Sequence, residues 1–225
     1  QVTPQDMMSR FEEQITRVNT LIRQFAPEEH RLDWQVDVSK GTVAFGSAYH
    51  NWGITVPYMA KSGISFKDIF EHCHNEQQDQ LAKKSPVHEV LLDMAVEELP
   101  SPMVAQKYRI PNIWQGDLES ETGASMLGCD PNGPLSLMIT KIWMDPHAGE
   151  VAVGRIYSGT IKHGETVWAL GAAKSERVQQ VSMMVGSDRI QVPEVSSGNI
   201  VALTGVRSAA AGVTITLDED STPFE

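Results

Sequence analysis

The first hundred residues carry apolar side chains at helical spacing, broken once by a short alternating stretch. Met7, Phe11, Ile15, Val18, Ile22 and Phe25 recur at steps of three or four, while Arg10, Glu12, Glu13, Arg17 and Arg23 fall mostly elsewhere. Thr3, Pro4 and Asp6 form a helix start: a hydroxyl at the N-cap, proline in the first turn and an acid behind it. The helix is expected to stop before Pro27. Trp34, Val36 and Val38 alternate with Gln35 and Asp37, which predicts a half-buried strand; Lys40-Gly41 turns the chain into a second strand at 42–45. Ser65 to Asp68 resembles a capping box with Asp in place of Glu, opening a short helix with Ile69, Phe70 and Cys73. Residues 75–84 are polar and read as exposed. Ser85-Pro86 starts a helix with Val87, Val90, Leu91, Met94 and Leu99 facing inward.

Pro100-Ser101-Pro102 ends that helix and marks a boundary. Residues 101–134, rich in Gly and Pro, read as a connector. From Leu135 the pattern changes to short β-rich runs at 135–144, 150–157, 166–170, 177–185, 189–192 and 199–204, separated by glycine turns. Such runs with no helical period predict a small antiparallel barrel or sandwich, and closure into a barrel would remove exposed edges. The fold class is therefore α+β, in two or more domains.

Composition narrows the function classes. The 225 residues include 18 basic and 29 acidic side chains, for a net charge of −11. Uniform acidity would repel nucleic acid at long range. The charge is uneven, however: residues 135–217 hold seven basic and six acidic side chains, about +1, which leaves about −12 for the rest. A surface that meets RNA is expected in that segment. No run of 18 or more apolar residues occurs and no signal peptide opens the chain. Cys73 and Cys129 are expected to be reduced thiols of a cytoplasmic protein. Gln1 stands where an initiator Met would, so the chain is expected to be a piece of something longer.

The chemistry-bearing motifs have plainer explanations. None of the 17 glycines is followed by lysine, so no phosphate-binding loop is present; the five-residue spacing of Gly149, Gly154, Gly159 and Gly164 reads as turns between strands. Asp130-Pro131-Asn132-Gly133 reads as a turn. His72, Cys73 and His74 lack a second ligand cluster and read as a helix end. No catalytic residue and no metal site is expected. Gly46-Ser47-Ala48 follows an apolar strand, and the backbone N–H groups of such a turn can donate to a ligand's carbonyl oxygen.

Longer runs carry a resemblance. Residues 45–53 (FGSAYHNWG) resemble the guanine-recognition motif of translational GTPases of the elongation factor 2 family. Residues 99–102 (LPSP) with 105–111 (AQKYRIP) resemble the exit from their GTPase domain, and make the archaeal branch nearer than the bacterial elongation factor G. Residues 129–135, 141–142, 148–149, 154–164 and 198–205 are similar to their second domain.

The resemblance implies the following. Residues 1–100 are the C-terminal part of a P-loop α/β GTPase domain, truncated here, and 101–134 a connector. Residues 135–217 are a domain II-type antiparallel β-barrel, and 218–225 the start of a linker to a third domain. Ser47, Ala48 and Tyr49 would meet guanine. GTP with Mg²⁺ would be cofactors of the longer protein, and none is expected for this piece, which lacks the phosphate loop, the switches and an Asn-Lys-x-Asp motif. The ribosome would be the partner, through small-subunit rRNA, with Lys162, His163, Lys174 and Arg177 as candidate contacts. Family function is GTP-driven movement of tRNA and mRNA. The alternatives are a free-standing β-barrel module that binds RNA or protein without nucleotide, and a related translational GTPase.

Overall fold

A computed structural model describes residues 3–172 and 174–224; Gln1, Val2, Ala173 and Glu225 lie outside the described residues. The chain divides into two units, Gln1–Leu99 and Pro100–Glu225.

The first unit opens with helix α1 (Pro4–Phe25), capped as its sequence dictates: the Asp6 N–H donates to Thr3 Oγ1 at 3.1 Å, and the Thr3 N–H donates to the Asp6 carboxylate at 3.2 Å. The predicted stripe exists but is largely uncovered. Ile15 and Ile22 are half-buried, whereas Phe25 is 75% exposed.

The strand predicted at 34–38 is absent. A 3-10 turn (Glu28–His30) leads into a loop whose backbone is satisfied by side chains instead of a partner strand. The Val36 N–H donates to Asn19 Oδ1 at 2.8 Å, and Asn19 returns a bond to the Val36 carbonyl at 2.9 Å. The Asp37 N–H donates to Thr42 Oγ1 at 2.6 Å. Alternation alone cannot make a strand when no neighbour supplies a ladder. Pairing begins later, in a hairpin of β1 (Phe45–Ser47) and β2 (Trp52–Ile54).

Four helices follow: α2 (Val56–Ser62), α3 (Phe66–His74), α4 (Gln78–Lys84) and α5 (Val87–Glu98). The capping box of α3 forms between Ser65 and Asp68. Helix α4 corrects the expectation that 75–84 is simply exposed, because Leu81 is buried in it. On α5, Val90 is buried, but Leu91 and the C-cap residue Leu99 point to solvent, against expectation. The core of this unit is small: Ile54, Ile64, Ile69 and Leu81, flanked by Phe45, Trp52, Met59 and Cys73.

The two capping boxes give a pH prediction. Hydrogen bonds from Thr3 hold the Asp6 carboxyl below the usual carboxylate range, and bonds from Ser65 do the same for Asp68. A depressed folded-state pKa contributes stability above the unfolded value, and that stability is lost as pH falls through the folded value. Far-ultraviolet dichroism titrated downward from pH 7 should therefore show helix loss beginning below about pH 4. Asp6→Asn combined with Asp68→Asn should remove part of that acid-dependent step.

The second unit begins with α6 (Pro102–Ile113) and α7 (Glu121–Gly128), so the segment expected as a connector holds two helices with a core of their own. Ile110, Trp114 and Met126 pack there with Tyr157 and Phe224. Buried Gln106 ties α6 to the rest through bonds from its carboxamide to the Met126 and Tyr157 carbonyls.

The β-rich half contains β3 (Ser136–Asp145), β4 (Gly149–Ser158), β5 (Thr160–Lys162), β6 (Thr166–Ala169), β7 (Glu176–Arg177), β8 (Gln180–Val185), β9 (Asp188–Val192), β10 (Glu194–Ser196), β11 (Ile200–Thr204) and β12 (Thr214–Thr216). The main sheet is antiparallel in the order β7-β6-β12-β3-β4-β11-β8-β9, and β5 pairs with β10. The sheet curls until one run meets both sides. Arg177 pairs with Thr166 of β6, while Gln180 to Ser182 pair with β11. At the bend between them, the Val178 N–H donates to the Glu165 carbonyl and the Gln179 N–H to the Thr204 carbonyl. This closes the predicted antiparallel barrel and leaves β9 as an edge. Leu137, Ile139, Ile156, Ile161, Leu203 and Ile215 fill the interior, each fully buried. The expected linker 218–225 is described up to Phe224.

Candidate functional site

Ser47, Ala48 and Tyr49 sit at the tip of the β1–β2 hairpin. Phe45 lies opposite Ile54, Gly46 opposite Gly53 and Ser47 opposite Trp52, so residues 48–51 form a four-residue loop. Asn51 turns it back with a φ of 55°. Gly46 is required where it stands, because a Cβ there would lie 2.5 Å from the Trp52 carbonyl oxygen. Within the loop, the His50 N–H donates to Ser47 Oγ and the Asn51 N–H to the Ala48 carbonyl, both at 3.3 Å. Among the described residues the N–H groups of Ala48 and Tyr49 have no partner, and the Tyr49 ring is 88% exposed. This tip offers two free backbone donors beside an aromatic face, which suits the edge and face of a planar base.

The frame beneath the tip was not visible in the sequence. The Gly53 N–H donates to the Ser85 carbonyl at 3.1 Å and the Val87 N–H to the Asn51 carbonyl at 3.0 Å. The Ser85 hydroxyl, itself buried, donates to the Gly53 carbonyl. Ser85-Pro86, read from sequence only as a helix start, is therefore also a brace for the hairpin. The helix N-cap is Pro86.

The barrel residues divide. Lys162 ends β5 and His163 follows it; both are exposed. Arg177 joins them, donating from Nε to the Gly164 carbonyl at 3.0 Å. Lys174 does not. It lies in the loop after β6, at the opposite end of that strand from the Lys162–Glu165 turn. The tip is also compensated in charge. Lys162 Nζ is 3.7 Å from the Glu194 carboxylate, and Glu165 accepts from the Lys162 backbone at 2.8 Å. Arg155 lies over the Tyr157 ring at 5.9 Å.

The remaining motifs fall into structural places. Gly149, Gly159 and Gly164 have positive φ at turns, but Gly154 is within a strand, where a Cβ would meet the Met138 carbonyl oxygen at 2.5 Å. Asp130 accepts from the Asn132 N–H at 2.9 Å, forming the expected turn. His72 and His74 occupy the last turn of α3, with His72 Nδ1 2.6 Å from the Asp68 carbonyl. Burial pushes the Cys73 thiol up, away from reactivity. Among the described residues no three His, Cys, Asp or Glu side chains could hold a metal ion, and no helix is long and apolar enough to cross a membrane.

Comparison with known proteins bears on both units. A family described as elongation factor G domain 2 matches residues 134–218. Elongation factor 2 of Methanococcus maripaludis (strain C7) is 55% identical over 95% of this chain, which covers 29% of that protein. Elongation factor 2 of Methanocaldococcus jannaschii is 53% identical over 100% of the chain and 31% of its own length. That of Picrophilus torridus is 53% identical over 98% and 30%. The chain thus spans less than a third of the length of these relatives. It is similar to elongation factor 2 along essentially its whole length, and its residues 134–218 match elongation factor G domain 2.

Proposed function

We propose that this chain is part of a cytoplasmic ribosomal translocation factor that moves tRNA and mRNA at the expense of GTP. In this reading residues 1–100 are the C-terminal part of its GTPase domain, 135–217 its second domain, and 218–225 lead toward a third. The observation that carries it is the match to elongation factor 2 across both units, together with a 45–53 run that forms a braced hairpin with free donors at its tip. In the longer protein, Ser47, Ala48 and Tyr49 would hold the guanine base. Phosphate and Mg²⁺ would be held by residues this chain does not supply, and those groups contribute most of the binding charge in such sites.

The chain alone should therefore bind GDP no more tightly than about millimolar, near −4 kcal/mol, and should not hydrolyse GTP. Calorimetry checks this, and micromolar affinity would overturn the assignment of phosphate binding to other residues.

Small-subunit rRNA is the proposed partner of the barrel, through Lys162, His163 and Arg177, with Lys174 on a separate loop. Lys162→Glu and Arg177→Glu, placed in the full-length factor, should each flatten the salt dependence of small-subunit binding by about 0.7–0.9 in log–log slope. Lys174→Glu should give a separate, additive change. Unchanged slopes in all three variants would remove these residues from the interface.

A further inference from the structure

The loop joining α7 to the barrel contains Asn132-Gly133, the one place where an asparagine of this chain precedes glycine. Its neighbours are clamped to a single stretch of the barrel. The Gly159 N–H donates to the Asp130 carbonyl at 2.8 Å, Thr160 Oγ1 to the Pro131 carbonyl at 2.8 Å, and Ser158 Oγ to the Pro134 carbonyl at 2.6 Å. Between these anchors, Asn132 is exposed and its carboxamide has no hydrogen-bond partner among the described residues. The Gly133 N–H likewise donates to nothing described. Glycine is obligatory at 133, because a Cβ there would lie 2.3 Å from Ser125 Oγ and 2.5 Å from Ser125 Cβ. The packing thus fixes the residue that leaves the following amide least hindered, and the loop leaves the carboxamide beside it unengaged.

We propose that Asn132 is a site of spontaneous covalent modification, in which the side-chain amide is lost through a cyclic imide. The Gly133 backbone nitrogen, giving up its proton to base, bonds to Asn132 Cγ. The Cγ–Nδ2 bond breaks, and ammonia leaves with a proton returned from solvent. Water then opens the five-membered imide at either carbonyl. One product is aspartate at 132; the other is isoaspartate, in which the main chain runs through the former side chain. Neither product needs an oxidant or an enzyme. Both place a new negative charge beside Asp130, and isoaspartate also adds a methylene to the main chain between the Pro131 and Pro134 clamps. That lengthening strains the three bonds which hold residues 158–160, whereas plain aspartate leaves the main-chain path intact.

The test is to incubate the folded chain at mildly alkaline pH and follow every asparagine by peptide mass mapping, with enzymatic methylation reporting isoaspartate. Asn132 should be lost first, faster than Asn19, Asn51, Asn75, Asn112 or Asn199, with loss accelerating as pH rises. Asn132→Gln, which cannot close the five-membered ring, should abolish the isoaspartate signal at 132. Asn132→Asp should fold and unfold like the parent, while the isoaspartate fraction of the aged parent should unfold at lower denaturant. Asn132 surviving in the folded chain while it converts in denatured chain would overturn the proposal, as would an isoaspartate yield unaltered in Asn132→Gln.

Discussion

Gly159→Ala should lower the stability of the barrel unit by about 3 kcal/mol, a shift of about 1.5 M in urea midpoint at a slope near 2 kcal/mol/M. Two costs combine. Gly159 has a φ of 75°, which an L side chain adopts only at about 1–2 kcal/mol. Its Cβ would also lie 2.7 Å from Leu135 Cα, 2.8 Å from the Leu135 nitrogen and 2.9 Å from the Gly133 carbonyl oxygen. All three atoms are backbone and cannot swing aside as a flexible side chain would. Gly212→Ala is the matched control, because Gly212 has a φ of 90° but nothing within 4 Å of the new Cβ, so only the conformational cost applies. Equal losses for the two variants would show that crowding at Leu135 contributes nothing.

Ile156→Ala should cost about 2–5 kcal/mol. Ile156 is fully buried in the barrel interior, on the strand that pairs with both β3 and β11, and Leu137 lies opposite it across the β3–β4 ladder. The barrel closes around it on hydrogen-bonded strands, so the wall cannot collapse to fill the void and the cavity penalty adds to the lost transfer energy. Ile200→Ala, on the neighbouring strand but 54% exposed, should stay within about 1 kcal/mol. Urea denaturation of both variants decides it, and a loss for Ile156→Ala below that for Ile200→Ala would contradict the assignment of the interior.

Features legible in the sequence were those set by nearest neighbours along the chain. Thr3 with Asp6 and Ser65 with Asp68 are four-residue devices, and they form as their chemistry dictates. The long strands β3 and β4 were also legible, since each is a β-rich run of ten residues along the chain. The motif at 45–53 was legible too, through its resemblance to a known family.

Short strands were not. β5, β10 and β12 have three residues each, too few for a period to stand out, and they exist because a partner runs alongside. The opposite failure occurred at 34–38, where alternation was present but Asn19 and Thr42 satisfied the backbone in place of a ladder.

For the site, the sequence by itself determined which residues carry the donors and charges: the Ser47-Ala48-Tyr49 tip, and Lys162, His163, Lys174 and Arg177. Tertiary structure alone decided which of these candidates lie side by side. The Ser85 brace comes from 32 residues beyond its hydrogen-bond partner, Gly53. Arg177 reaches the Lys162 turn because the 176–185 run bends back to close the barrel, and the same hairpin carries Lys174 to the far end of β6. Local sequence sets the conformation of each turn and cap, but the barrel's register, fixed by burying Leu137, Ile156 and Leu203 on one face, sets which turns become neighbours.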